Sequence, residues 1–106
     1  MDDGPTISTH VLDTEHGVPA ANVAVDIALV TDEGIEPVGG GLTDADGRIR
    51  RLLDGPLVAG DYMIRFRIDG PFFREVSVSF RVPDTTRSYH VPLLLAPYSL
   101  ATYRGS

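Results

Sequence analysis

The segment from His90 to Ser106 places side chains that can carry out chemistry next to the end of the chain. Tyr103, Arg104 and Ser106 stand beside the terminal carboxylate. A histidine can exchange a proton near neutral pH, and an arginine can stabilise negative charge that develops on an oxygen atom. Chain ends usually fray. We instead expect two short strands here, joined by a corner at residues 97–98, Pro-Tyr, that presents the last residues in a defined position.

Two further segments each contain a side chain that can transfer a proton or stabilise negative charge. His10 lies in residues 8–14, Ser-Thr-His-Val-Leu-Asp-Thr, and Arg48 ends residues 43–48, Thr-Asp-Ala-Asp-Gly-Arg. An arginine after an Asp-Gly turn is most simply a surface ion pair, although its guanidinium can also bind a carbonyl-rich ligand. The remaining histidine, His16, lies at a predicted turn, and we expect it to be solvated.

Strand parity gives the first information about the surroundings of His10 and His90. Alternate side chains of a strand point to opposite faces. The apolar side chains that alternate with His90 are Tyr89, Val91, Leu93 and Leu95. His10 shares its face with Ser8 and Leu12. A face that mixes titratable and large apolar side chains is typical of an active site at an oligomer interface, although parity alone also allows two surface histidines.

Three segments resemble one known family in their residues, their order and their spacing. They are residues 8–14 with 17–23, residues 43–48, and residues 90–106. The chain resembles the 5-hydroxyisourate hydrolases, which are relatives of transthyretin. The closing Tyr-Arg-Gly-Ser is the signature that separates these hydrolases from the hormone carriers. Three ordered matches are more specific than one short motif.

The resemblance implies a cyclic amidohydrolase that acts without a metal or another cofactor. Its reaction is the hydrolysis of 5-hydroxyisourate, the first product of urate oxidation, to OHCU (2-oxo-4-hydroxy-4-carboxy-5-ureidoimidazoline). The residues at matching positions are His10, Arg48, His90 and Ser106 for catalysis, and Tyr103 and Arg104 for the substrate pocket. The family usually has a further histidine two residues before the catalytic one, where this chain has Ser88.

Opening the ring of this substrate requires a base for water, a positive group at the carbonyl oxygen and a proton for the departing nitrogen. Two histidines and an arginine supply all three. We expect His90, oriented with His10, to deprotonate the water, while Arg48 binds the oxygens of the heterocycle and stabilises the oxyanion. Ser106 then holds or relays a proton at the ring. The choice of base between the two histidines stays open.

Apolar residues recur at every second position in several segments, which is the period of a half-buried strand. For example, Tyr62, Ile64 and Phe66 alternate with Arg65 and Arg67. Strands are expected near residues 7–14, 22–31, 35–43, 48–53, 60–69, 73–82, 88–96 and 99–104. Turn signals separate these segments, which predicts an all-β antiparallel sandwich of two four-stranded sheets. The resemblance implies the transthyretin/prealbumin-like form of this fold.

Two features of the family bear on the expected assembly. The family normally has a short helix between the fifth and sixth strands. Here residues 69–73, Asp-Gly-Pro-Phe-Phe, join those strands almost directly, so we expect the helix to be shortened or absent. The resemblance also implies a homotetramer, a dimer of dimers, in which the small-molecule substrate binds at the subunit interface.

The composition indicates one domain spanning residues 1–106, with nine arginines, no lysine, no cysteine and a formal net charge of −6. The negative charge argues against nucleic acid or an anionic membrane as a partner. Without cysteine, disulfides and thiolate metal sites are excluded, and no H-E-x-x-H motif occurs, so no metal is expected. No apolar run approaches the ~18 residues of a membrane span. The acidic start lacks a secretory pattern, which favours a cytoplasmic protein.

Two other classes of function use the same fold. One is a carrier of small hydrophobic ligands, of the transthyretin type. The other is a structural sandwich that mediates contacts between proteins. A carrier is expected to line its channel with apolar side chains where this chain has histidines and an arginine, and a structural sandwich leaves the coincidence of these residues unexplained. The hydrolase is therefore the preferred reading.

Overall fold

In a computed structural model, which describes residues 4–106, the chain folds into two β-sheets, and these residues contain no helix. The strands are β1 (Ile7–Asp13), β2 (Val18–Pro19), β3 (Ala24–Thr31), β4 (Gly34–Leu42), β5 (Arg48–Ile49), β6 (Gly60–Arg67), β7 (Glu75–Val82), β8 (Tyr89–His90), β9 (Leu93–Leu95) and β10 (Leu100–Thr102). Residues 1–3, the beginning of the acidic start, lie outside the described residues. Within the described range no helix is long and apolar enough to cross a membrane.

The first sheet is built around β1, which has neighbours along both edges. On one edge β1 pairs antiparallel with β5 and β2. On the other edge it pairs parallel with β8 and β9, and β9 pairs antiparallel with β10. The six short strands of this sheet therefore occupy four positions across it, because β2 and β5 share one edge of β1 while β8 and β9 share the other.

The second sheet has the antiparallel order β4-β3-β6-β7, and the predicted all-β sandwich is confirmed. The prediction of wholly antiparallel pairing is wrong where β1 meets β8 and β9. These segments are far apart in sequence, so no hairpin turn imposes an antiparallel direction. The predicted strand 88–96 is also divided, since Pro92 has no N–H to donate to a ladder. The predicted strand 48–53 ends at Ile49, after which the chain crosses to the second sheet and Gly40 donates its N–H to the Leu52 carbonyl at 2.9 Å.

Inward-facing side chains of both sheets form one apolar core. Its most deeply buried members include Ile7, Val11, Ile27, Leu52, Tyr62, Ile64, Phe66 and Leu93. Burial of each large side chain contributes roughly 1.5–3 kcal/mol of hydrophobic free energy. Thr9 is the buried polar side chain of β1, and its hydroxyl donates to the Val91 carbonyl at 2.6 Å. Ile7, Thr9 and Val11 of β1 thus face the core, and Ser8 and His10 face away from it, as parity predicts.

The connection between β6 and β7 is a tight turn, which confirms the expected absence of the helix in the described residues. The N–H of Gly70 donates to the Phe73 carbonyl at 2.9 Å, and the N–H groups of Ile68 and Asp69 share the Arg74 carbonyl at 3.0 Å. These bonds close the turn within residues 68–74, so no helix is needed to connect the two strands.

Candidate active site

The pairing of β1 on both edges brings four polar side chains to one face of the first sheet. His10 lies opposite Arg48 in the pairing with β5, and Ser8 lies opposite His90 in the pairing with β8. Side chains directly opposite each other in a sheet share a face, with Cβ atoms about 4.5–5.5 Å apart. Because Ser8 and His10 are two residues apart on one strand, all four side chains project from the same face.

Arg48 is presented by a turn that only glycine can make at this place. Gly47 has a φ of 77°, and a Cβ atom built on it would lie 2.4 Å from the Val11 carbonyl oxygen. That same close approach allows the Val11 N–H to donate to the Gly47 carbonyl at 2.7 Å. The carboxylate of Asp44 accepts the N–H groups of Asp46 and Arg48, both at 2.9 Å. These bonds hold the backbone of Arg48, and the one from Arg48 is the main cause of a lowered pKa for Asp44.

His10 has a defined tautomer in its neutral form. Its Nε2 atom lies 2.9 Å from the carbonyl oxygen of Asp46. A carbonyl oxygen can only accept a hydrogen bond, so Nε2 must carry the proton. The lone pair of the neutral imidazole is therefore on Nδ1. The turn that presents Arg48 thus also fixes the orientation of the His10 ring.

His90 is half-buried and contacts Ser8. Its Nδ1 atom lies 2.8 Å from the Ser8 hydroxyl. Burial of the imidazole, and then the nearby positive charges of Arg48 and His10, lower the pKa of His90 below its ordinary value. Both effects disfavour the cationic form. The ring is consequently neutral in most molecules at pH 7, with a basic nitrogen available.

The C-terminal tail, residues 103–106, folds back against His90. Gly105 donates its N–H to the His90 carbonyl at 2.7 Å, and Thr102 donates its hydroxyl to the Pro92 carbonyl at 2.8 Å. The Thr102 bond attaches the last residue of β10 to the first sheet, and the Gly105 bond continues this attachment beyond the strand. They place Ser106 close to the half-buried imidazole of His90.

A cavity of about 310 Å³ lies between the tail and the first sheet. Its lining residues are Ser8, Thr9, Arg48, Arg50, Ser88, Tyr89, His90 and Ser106. Three of the predicted catalytic residues, Arg48, His90 and Ser106, therefore meet in one cavity. His10 stands next to it as the strand partner of Arg48. Two arginines and no Asp or Glu side chain line the cavity, so it is suited to an electron-rich or anionic ligand.

The two residues predicted to line the substrate pocket, Tyr103 and Arg104, do not line this cavity. Tyr103 and Arg104 line a second, more apolar cavity of about 460 Å³ that is bounded on its other side by β7. The guanidinium of Arg104 sits over the ring of Tyr89, 4.6 Å from its centre. Tyr89 lines both cavities. The signature residues of the tail thus face two directions, with Ser106 in the first cavity and Tyr103 and Arg104 in the second.

Ser8 and Arg50 are site residues that the sequence reasoning missed. Both line the first cavity. A parity signal was present for each, because Ser8 is two residues from His10 and Arg50 is two residues from Arg48. Parity places Ser8 on the face of His10 but assigns it no partner. Its contact with His90 depends on the parallel register of β1 and β8, which sequence periodicity does not reveal.

His16 lies outside this site, on the exposed surface. Its Nδ1 atom is 2.8 Å from a carboxylate oxygen of Asp13, and this hydrogen bond raises the pKa of the imidazole. Asp13, Glu15 and His16 place one potential metal-ligating atom each within 4.8 Å of one another. Among residues 4–106 this is the sole grouping of that kind, and it does not border the cavity that holds His90. Its contacts are those of an exposed ion pair.

The fold and the site identify the class of protein. The chain belongs to the HIUase/Transthyretin family, whose model matches residues 7–105. It is 40% identical to a 5-hydroxyisourate hydrolase of Deinococcus radiodurans over the full length of both chains. It is also 39% identical to a 5-hydroxyisourate hydrolase of Salmonella dublin, with 94% of this chain and 80% of that protein covered.

A solved structure of a 5-hydroxyisourate hydrolase has the same fold as this chain. The structure of Klebsiella pneumoniae 5-hydroxyisourate hydrolase superposes with a TM-score of 0.83 and 32% identity, and the match covers 96% of this chain and 99% of that one. The predicted membership of the family and the transthyretin-like fold are both confirmed.

The lowered pKa of His90 leads to a test of the electrostatics. Replacing Arg48 by Gln removes one of the positive charges that disfavour protonation, so the pKa of His90 should rise. Burial and His10 should still hold it below the ordinary value. The measurement is an NMR titration of the imidazole C–H resonances, with His16 as the internal reference. A pKa of His90 that stays the same or falls in Arg48→Gln would contradict the proximity of these two groups.

Proposed function

We infer that this chain hydrolyses 5-hydroxyisourate to OHCU and so acts in urate degradation. The observation that carries this conclusion is the meeting of Arg48, His90 and the C-terminal Ser106 in one cavity, with His10 at its edge. Its full-length relatives are 5-hydroxyisourate hydrolases. The chain is therefore a cyclic amidohydrolase, and the proposed steps require no cofactor.

His90 is proposed as the general base. With Nδ1–H donating to the Ser8 hydroxyl, the lone pair lies on Nε2 and can take a proton from water. The Ser8 oxygen can keep this hydrogen bond both before and after His90 becomes protonated. The neighbouring charges make the cation less favourable, so the proton is readily passed on to the departing ring nitrogen. One histidine then serves as base and afterwards as acid.

Arg48 is proposed to stabilise the charge that develops on the carbonyl oxygen during attack. Its strand partner, His10, is fixed by the Asp46 carbonyl, and the turn at Gly47 fixes its own backbone. A donor held in place before the reaction needs no reorganisation when the charge appears. The second guanidinium in the cavity, that of Arg50, adds attraction for the oxygens of the flat heterocycle.

Ser106 supplies a hydroxyl on the tail side of the cavity. We propose that its hydroxyl binds or relays a proton at the ring, opposite the sheet that carries the base. Substrate would then lie between the tail and the first sheet. The hydrogen bonds of Gly105 and Thr102 hold the chain beside Ser106 in place.

Carriers of the transthyretin type share this fold, so the side chains of the site have to distinguish a carrier from a hydrolase. Sea bream transthyretin in complex with thyroxine superposes with a TM-score of 0.82 and 31% identity, covering 92% of each chain. The difference lies in the side chains of the site. Arginines, a histidine and serine hydroxyls line the cavity of this chain, whereas an apolar ligand requires mainly apolar walls. We therefore assign hydrolysis.

Replacement of the histidines tests this assignment. If either imidazole takes part in proton transfer, His10→Ala and His90→Ala should each lose about two to four orders of magnitude in turnover. The assay follows the ultraviolet absorbance of freshly made 5-hydroxyisourate, with the spontaneous decay subtracted. His16→Ala is the matched control and should retain wild-type turnover, because His16 is exposed and outside the cavity. Full turnover in both site variants would refute the proposed mechanism.

We further propose a homotetramer, a dimer of dimers, with sites at the subunit interface. β7 and β10 are edge strands of the two sheets and flank the second cavity, where Tyr103 is 54% exposed. Edge strands and an exposed aromatic side chain favour contact with another copy. Tyr103 and Arg104 would then contribute to the pocket only through assembly.

The expected cytoplasmic location stays a prediction.

Light scattering on the purified protein tests the assembly. A tetramer has about four times the mass of the 11.4 kDa chain. Activity should fall on dilution to concentrations at which the scattering shows dissociation, if neighbouring subunits complete the pocket. A monomeric protein with full activity would contradict the shared site.

A further inference from the structure

The penultimate residue, Gly105, packs against the ring of His90. A Cβ atom built on Gly105 would lie 2.5 Å from His90 Cδ2, 3.1 Å from Cγ and 3.3 Å from Cβ. The N–H of Gly105 also donates to the His90 carbonyl at 2.7 Å. The tail is therefore attached to the backbone of His90 and lies against its side chain at the same point.

Glycine is needed here for space and not for its backbone conformation. Gly105 is absent from the glycines of the described chain that have a positive φ. Any residue could adopt its dihedral angles, so the close approach alone excludes a side chain. A contact of 2.5 Å is shorter than real Cβ atoms tolerate, and either the ring or the tail has to move to relieve it.

The contacted ring cannot move freely, because other groups hold it. Its Nδ1 atom is bonded to the Ser8 hydroxyl at 2.8 Å. The Cγ and Cβ atoms, which also face Gly105, are close to the His90 backbone, and the backbone is paired with β1. A side chain at position 105 would thus rotate the imidazole away from Ser8, or break the bond between the tail and the His90 carbonyl.

We propose that Gly105 is a positioning residue, which holds the His90 imidazole in a single orientation against Ser8. This proposal rests on the hydrolase function, because it concerns the orientation of the base. Ser8 is bonded to Nδ1 of the ring, and Gly105 lies against its Cδ2 and Cγ atoms, so that the position of Nε2 is fixed. Gly105 does not touch the reacting atoms. It acts through His90.

Gly105→Ala should lower kcat by about tenfold to a hundredfold, since a displacement of about 1 Å in a catalytic group can cost up to a hundredfold. KM should change less than kcat, because Arg48 and Arg50 remain in the cavity. Gly55→Ala is the matched control. A Cβ atom on Gly55 has no neighbour within 4 Å, and Gly55 also lacks a positive φ. That variant should keep wild-type kcat.

NMR provides a readout that does not depend on turnover. The chain has three histidines, so His90→Ala and His16→Ala variants assign the imidazole resonances. In Gly105→Ala the resonances of His90 should shift and its pKa should change, while those of His16 should not. Retained circular dichroism and an unchanged thermal midpoint show that the variant is folded, as expected for a substitution at an exposed tail residue.

The outcomes separate this proposal from the hydrolase function. An inactive wild-type protein would reject the function. An active wild-type protein whose Gly105→Ala variant has wild-type kcat and unchanged His90 resonances would reject the positioning role alone. A lower kcat with unchanged His90 resonances would assign the effect to the tail and would also overturn the proposal. Shifted His90 resonances together with a lower kcat would support it.

Discussion

The site depends on β1 being paired along both of its edges. Backbone hydrogen bonds to β5 on one side and to β8 on the other bring together chain segments that are distant in sequence. The inward face of β1 is anchored in the core, with Ile7, Thr9 and Val11 buried. A slip of one residue would turn every side chain of β1 to the other face. Burial of the odd-numbered residues therefore fixes the outward position of Ser8 and His10 as well.

The tail adds what the sheet alone does not provide. An imidazole on an open sheet face would be solvated, and its pKa would stay near the ordinary value. Here the tail lies against the ring of His90, and the cationic Arg48 shares the same face. Partial burial and repulsion act in the same direction, so that a base at neutral pH results from packing as much as from residue type. The chain end is thus a wall of the cavity.

Local periodicity was enough to predict much of this arrangement. Alternation in β1, β6 and β7 places the core residues correctly, and the Asp-Gly turn before Arg48 is where the sequence indicates it. The parallel pairing of β1 with β8 could not be read from either segment, because register between distant strands depends on the packing of the whole sandwich. For the same reason the sequence did not show that Ser8 bonds to His90, that Gly105 lies against its ring, or that Arg104 turns away toward Tyr89.

The pH dependence of kcat/KM tests most directly whether this neutral, partly buried imidazole is the working base. A base must be unprotonated to act, and the pKa of His90 lies below its ordinary value of about 6.5. We predict that kcat/KM declines on acidification with a midpoint below pH 6.5, equal to the NMR titration midpoint of His90. A decline centred at or above pH 6.5, or one that does not follow the titration of His90, would contradict this account.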